Sequence, residues 1–272
     1  MSEKANWFTK HPITVTEMQR EYAAKISANR AAGLKKFESG KYTPFTGFPV
    51  KKFSKICDFT LELDPQSQLQ IAERVVNPLQ ELAKKYEISA IFPNKGDQPV
   101  HVAFENGLFP ANIPEEQIKF VIQWLESSKS HIGRISKILT KLTFKHDTLV
   151  MAAPTSYICA GEFGNEQGSI YRARMAIETI MGKAAGKLEN EFGEGAVSGI
   201  VGDKRYHDIF HTSVMRITRE VPASQLIPFA QEAYATIGED LKREPLQITV
   251  SSVYVGRASD FHKTNAPWLV VP

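Results

Sequence analysis

Long apolar runs are missing from this chain. No stretch approaches the roughly 20 consecutive apolar residues that a membrane span requires, and the N-terminal MSEKANWFTKHP holds no apolar segment of the secretory kind. A cytoplasmic protein without a membrane partner is therefore expected. Cysteine is scarce too. Cys57 and Cys159 lie in the apolar, strand-like contexts SKICDFTL and TSYICAG, where reduced, buried thiols are expected rather than a disulfide. Net charge is small, with 33 Lys and Arg against 30 Asp and Glu, an excess too slight to mark a general nucleic-acid binder. Short-period repeats and low-complexity tracts are lacking, which sets aside solenoids and propellers. The glycines of GEGAVSGIVGDK have neither the Gly-Lys-Ser/Thr of a P-loop nor the spacing of a dinucleotide fingerprint. No G-x-S-x-G elbow supports a serine hydrolase. No kinase or NAD site follows, and no cofactor is expected.

What is present is the composition of an ordinary globular protein. The 272 residues are 42% hydrophobic and 23% charged, enough to bury a full core in one large domain or two small ones. Basic residues gather in AANRAAGLKKF and SKSHIGRISKILTKLTFKH, either as solvated helix faces or as a surface for an anionic ligand.

Along the chain, Thr14 to Glu38 is rich in helix formers and Gly40 stops it. Residues 1–50 are thus expected to form an N-terminal helical extension and linker. In ICDFTLELD, Phe59, Leu61 and Leu63 alternate as in a half-buried strand, ended by Asp64-Pro65. The segment SQLQIAERVVNPLQELAKKYE has helical spacing, with Pro78 expected to kink or split it. In VHVAF, Val100, Val102 and Phe104 share one face and His101 and Ala103 the other. Helical periodicity returns over 115–141. TLVMAAPTSYICAG then reads as strand, turn, strand, and SIYRARMAIETIMGKAAGKLE as helix. Residues 189–204 read as a long loop, YHDIFHTSVMRITRE as strand, ASQLIPFAQEAYATIGEDLKRE as helix, and LQITVSSVYVGRA as the closing strand. The order strand, helix, strand occurs twice, once around His101 and once around His211. The expected fold is α+β: two pseudo-symmetric lobes with antiparallel or mixed sheets around a central cleft over residues 51–272, helices outside.

Residues i and i+2 of a strand share a face, so His211 and Ser213 of HTSV project together. His101 projects likewise, but the matching position in HVAF is Ala103. Two imidazoles in one cleft suit phosphodiester cleavage, which needs one group to take a proton from the nucleophile and another to protonate the leaving oxygen. A hydroxyl such as that of Ser213 can donate to a non-bridging phosphate oxygen, where charge is held in the transition state. Lys204 and Arg205 before the His211 strand, and Tyr254 and Arg257 on or after the closing one, are candidates to contact phosphate or stack on a base.

This pattern resembles the two-histidine (2H) phosphoesterases, which include the RNA 2′,5′-ligase group and the cyclic phosphodiesterases. The family's signature is a pair of His-x-Thr/Ser motifs, each on a central strand of two related lobes. HTSV at His211 fits it; HVAF at His101 fits in placement and flanks and departs at Ala103. The resemblance covers about residues 55–270. It implies a metal-independent phosphoesterase acting on a cyclic phosphate or on a 2′,5′-linked or RNA-terminal phosphodiester. His101 and His211 are then the acid-base pair, in either order, and Ser213 the oxyanion donor. The implied partner is a nucleotide or RNA phosphoester, and a monomer is the default state. Loss of one hydroxyl at Ala103 leaves open a non-catalytic nucleotide or RNA-end binder on the same fold. A different chemistry is offered by His207 and His211, whose i, i+4 spacing would hold zinc if helical. The alternation of HTSVMRIT argues for strand instead. His11, His131, His146 and His262 have no partner by spacing.

Overall fold

A computed structural model describes residues 55–56, 58–93, 100–105, 109–110, 114–140, 143–152, 156–162, 169–193, 211–258 and 264–271, with Ala24, Ala28, Lys35, Ser39 and Pro44. Ala24, Ala28 and Lys35 are helical, inside the predicted Thr14–Glu38 helix. The rest of the N-terminal extension and its boundary lie outside the described residues.

The fold is α+β. In chain order the described elements are β1 (Lys55–Ile56), β2 (Asp58–Leu63), α1 (Pro65–Ile71), a π-helical segment Ala72–Val76, α2 (Asn77–Lys85), β3 (Ala90–Ile91), β4 (His101–Glu105) and β5 (Phe109–Pro110). Then come α3 (Glu115–Ser127), α4 (Lys129–Leu139), β6 (Thr143–Ala152), β7 (Ser156–Glu162), α5 (Ser169–Phe192) and β8 (His211–Ile217). The chain finishes with α6 (Ala223–Ala233), a second π segment Tyr234–Gly238, α7 (Glu239–Arg243), β9 (Leu246–Ala258) and β10 (Thr264–Val271).

The main sheet runs β10-β9-β2-β4-β8-β7-β6, with β3 against β8. The first part of β6 also pairs with the first part of β9, Thr143 opposite Thr249 through His146 opposite Leu246, so the ladder returns on itself. Every pairing among the described strands is antiparallel, which decides between the antiparallel and mixed sheets expected from sequence.

The alternation of β2 is realised. Phe59, Leu61 and Leu63 are essentially inaccessible, and Val102 of β4 and Val253 and Val255 of β9 lie on the same side. Ile71, Val75, Val76 and Leu79 of the first helical run and Leu226, Phe229 and Ala230 of α6 belong to the same core. Asp64 ends β2 and starts α1 in one step: its carboxylate accepts from Ser67 N at 2.6 Å, with Pro65 at the first helical position. The Ser67 hydroxyl in turn accepts from Thr249 N at 2.8 Å, tying that helix start to β9. Pro78 lacks the N–H that an unbroken α-helix would use, and the run divides there through the π segment into α1 and α2.

Three boundaries differ from the sequence reading. The 115–141 run breaks at Ser128. Helix α5 continues to Phe192, three residues beyond the expected helix, and its end is held by an edge contact of Phe192 with Phe120 (centroids 5.8 Å) and by Gly193 at φ 89°. Strand β10 follows the strand expected to close the chain; it carries Pro267 and lies at the edge of the ladder order, where proline is tolerated.

Candidate functional site

The centre of the sheet is fixed by a buried row. Val253 of β9, Leu61 of β2, Val102 of β4 and Thr212 of β8 stand in register, and Cys159 of β7 is opposite Thr212. Val102 and Thr212 are both inaccessible. Thr212 Oγ1 has no hydrogen-bond partner among the described residues. Because side chains alternate, burial of this row turns the flanking residues to the other face.

That other face carries two of the three residues of each motif. The pairing of Val102 with Thr212 is antiparallel, and in such a ladder the residues on either side of the pair, His101 with Ser213 and Ala103 with His211, are the next to face one another. His101 and His211 are therefore diagonal neighbours on adjacent strands, at a spacing of about 7–8 Å that is somewhat less between Cβ atoms, and share one face with Ser213. All three are partly exposed. A group the size of a phosphate can be approached by both imidazoles from such positions.

Two polar rows cross this face. One runs Ser252, Glu62, His101 and Ser213; the other runs Tyr254, Thr60, Ala103, His211 and Ala160. In the first, Glu62 Oε2 accepts from the Ser252 hydroxyl and from the Tyr254 hydroxyl, each at 2.7 Å. Burial, and then the bond to Glu62, push the Tyr254 phenol above its usual range, so its proton stays on the oxygen. In the second row, the hydroxyl next to the gap at Ala103 belongs to Thr60, its partner across β2.

A bulge in β8 adds a cation. Val214 and Met215 are both buried and the register to β7 shifts between Tyr157 and Ile158, which returns Arg216 to the face of His211 and Ser213. Burial lowers the Arg216 guanidinium to about 10, and it remains charged near neutral pH. Ile91 and Ser156 stand beside it on β3 and β7.

Of the residues singled out in the sequence, the structure thus brings together His101, His211, Ser213 and Tyr254. Arg257 lies on β9 opposite Ala266, at the parity of Val253 and Val255 rather than that of Tyr254. Lys204, Arg205 and His207 lie outside the described residues. His211 opens a strand, so the helical geometry that a zinc pair with His207 requires is missing at His211. The sequence reading passed over Glu62, Thr60 and Arg216. The first two sit at the polar parity of an alternating strand, a signal that was available. Arg216 was hidden because the bulge breaks the alternation.

The histidine face is distinct from the groove of about 290 Å³ lined by Leu69, Ala72, Val76, Pro93 and Val100. Val100 and Val102 share a parity, which puts that groove on the helical side of β4.

No protein-family model matches the chain, and no curated protein matches it in sequence. Among solved structures, Kluyveromyces marxianus Usb1 is similar at 16% identity and a TM-score of 0.42, over 80% of this chain and 98% of that one. Kluyveromyces marxianus Usb1 with uridine monophosphate is similar at 16% identity and a TM-score of 0.40, over 82% and 100%. A likeness this distant assigns no activity.

Proposed function

We propose that the chain is a metal-independent phosphoesterase of the two-histidine type, acting on a cyclic phosphate or on a 2′,5′-linked or RNA-terminal phosphodiester. The observation that carries this reading is the register of Val102 with Thr212, which sets His101, Ser213 and His211 on one face of neighbouring strands. In this reading β4 and β8 are the central strands of two related lobes, and the histidine face is the floor of the cleft between them.

For a cyclic phosphate, one neutral imidazole takes a proton from water as its oxygen bonds to phosphorus. The other, protonated, gives its proton to the ring oxygen as the P–O bond breaks. Ser213 donates to a non-bridging oxygen, and Arg216 offers a cation on the same face for the charge that collects there. The carboxylate of Glu62 would repel a phosphate placed over it, so the phosphate belongs on the His211 side of His101.

The test is hydrolysis of a panel of 2′,3′-cyclic nucleotides and 2′,5′-linked oligonucleotides, with EDTA present, by wild type, His101→Ala and His211→Ala proteins. Turnover by wild type that both substitutions abolish supports the paired mechanism. Turnover that survives either substitution overturns it. Binding of these compounds without turnover moves the reading to a nucleotide or RNA-end binder.

A further inference from the structure

We infer that Glu62 reads the sugar of the substrate: its carboxylate accepts a hydrogen bond from the ribose hydroxyl next to the bound phosphate, so that the site takes a ribonucleotide end in preference to its deoxy counterpart. The inference deepens the two-histidine reading and rests on it for the position of the phosphate.

The strand order sets this carboxylate one strand away from the phosphate. Glu62 of β2 is in register with His101 of β4 on one side and with Ser252 of β9 on the other, and it is partly exposed on the face of the two histidines. Neighbouring strands lie about 4.8 Å apart. A phosphate approached by both imidazoles sits over β4 and β8, with β2 next to it on one side and β7 on the other. In any nucleotide the group bonded to the phosphate is the sugar. Toward β7 the register sets Ala160 beside His211 and Ile158 beside Ser213, two residue types without a polar side-chain atom. The polar side is that of β2, and a sugar with hydroxyls belongs there.

The carboxylate is also arranged for a donor. The Ser252 and Tyr254 hydroxyls both donate to Oε2, each at 2.7 Å. Ser252 is buried, so one of the two anchors is itself fixed by packing. A carboxylate has roughly four acceptor positions, shared between its oxygens. Among the described residues both hydrogen bonds that Glu62 accepts fall on Oε2, which leaves the capacity of Oε1 for a ligand. A carboxylate accepts and does not donate, and its charge repels phosphate. What suits it is a neutral group with a hydrogen to give, and an acceptor already held in place loses little freedom on binding one. The ribose hydroxyl beside the phosphate is such a group, and deoxyribose lacks it. A 2′,5′-linked end keeps a free 3′-hydroxyl and an RNA 3′-phosphate a free 2′-hydroxyl, whereas a 2′,3′-cyclic phosphate holds both oxygens in its ring. Glu62 thus favours the first two over the third.

The experiment is equilibrium binding to the full chain, followed by NMR, of a ribonucleoside 3′-monophosphate, its 2′-deoxy counterpart and a 2′,3′-cyclic nucleotide. Wild type is expected to bind the ribonucleotide about tenfold more tightly than the deoxynucleotide, the scale of one hydrogen bond to a charged group. Glu62→Ala is expected to bring these two within about twofold of each other, without lowering the affinity for the deoxy or the cyclic nucleotide. If Glu62→Ala does not fold, the Ser252→Ala/Tyr254→Phe protein, which releases the carboxylate, is expected to show a reduced preference. A wild type without preference for ribose overturns the inference, and so does a preference that the folded variant leaves unchanged. Equal weakening of all three nucleotides by Glu62→Ala also overturns it, because that makes Glu62 a support of the sheet and not a sugar contact. In each of these cases the two-histidine reading stands as long as His101→Ala and His211→Ala weaken binding. Wild type that binds none of the three overturns both, so the two failures are distinguishable.

Discussion

Replacing Ser213 by alanine removes one oxygen from the face that carries both histidines. The side chain is partly exposed and stands opposite His101, while its neighbours Thr212 and Val214 are buried and hold the strand in register. The deletion should therefore leave the fold intact, at a stability cost under about 1 kcal/mol. Its effect on rate is a different matter. With alanine at 103, Ser213 is the hydroxyl that remains from the two motifs, and a donor aimed at a developing oxyanion contributes about 10²–10³ in rate, or about 2.7–4 kcal/mol of transition-state stabilisation. Partial solvent access places this chain at the lower end, so kcat is expected to fall about a hundredfold with KM changed by less than about threefold. The assay is steady-state hydrolysis of a 2′,3′-cyclic nucleotide beside a thermal melt of each protein. A Ser213→Ala enzyme that keeps its rate within twofold, while His211→Ala is inactive, would refute the role given to this hydroxyl.

Further outcomes follow from the same geometry. Ala103→Ser places a hydroxyl opposite His211 and beside Thr60; steady-state kinetics should show kcat rising, and the rise should be larger in the Ser213→Ala background. Val102→Ala removes two methyl groups from an inaccessible position in the central row; urea unfolding should show a loss of about 2–3 kcal/mol with an unchanged m value. The Asp240 carboxyl is held below its ordinary value of 3.8, first by its hydrogen bond from Arg74. Its contribution to stability is complete above that ordinary value and is lost as pH falls through the lowered one. Arg74→Met should therefore flatten the acid side of a melting-temperature profile, by the equivalent of no more than about 1 kcal/mol for a pair this exposed.

Much of the site was legible because strand alternation is strict where one face is buried. Phe59, Leu61 and Leu63 declared the buried parity of β2, Val100 and Val102 that of β4, and both histidines then fell on the opposite parity of their own strands. That β4 and β8 are neighbours could not be read from the pattern, since any two strands with a buried face satisfy it; pairing is decided by the whole sheet. The same limit concealed Glu62, whose importance comes from Ser252 and Tyr254, nearly two hundred positions away in the chain and in register beside it. Bulges hid the rest. Val214 and Met215 break the period of β8, and Arg216 consequently looked like an ordinary strand residue of the wrong parity.

The central claim is that His101 and His211 serve a single phosphate group. The most direct test is an NMR titration of the wild-type chain with a nucleoside 2′-monophosphate, following both imidazole signals. The account predicts that both signals move together and saturate with one dissociation constant, and that either histidine substitution weakens the response of the other. Movement of only one signal, or of both with different constants, would contradict it.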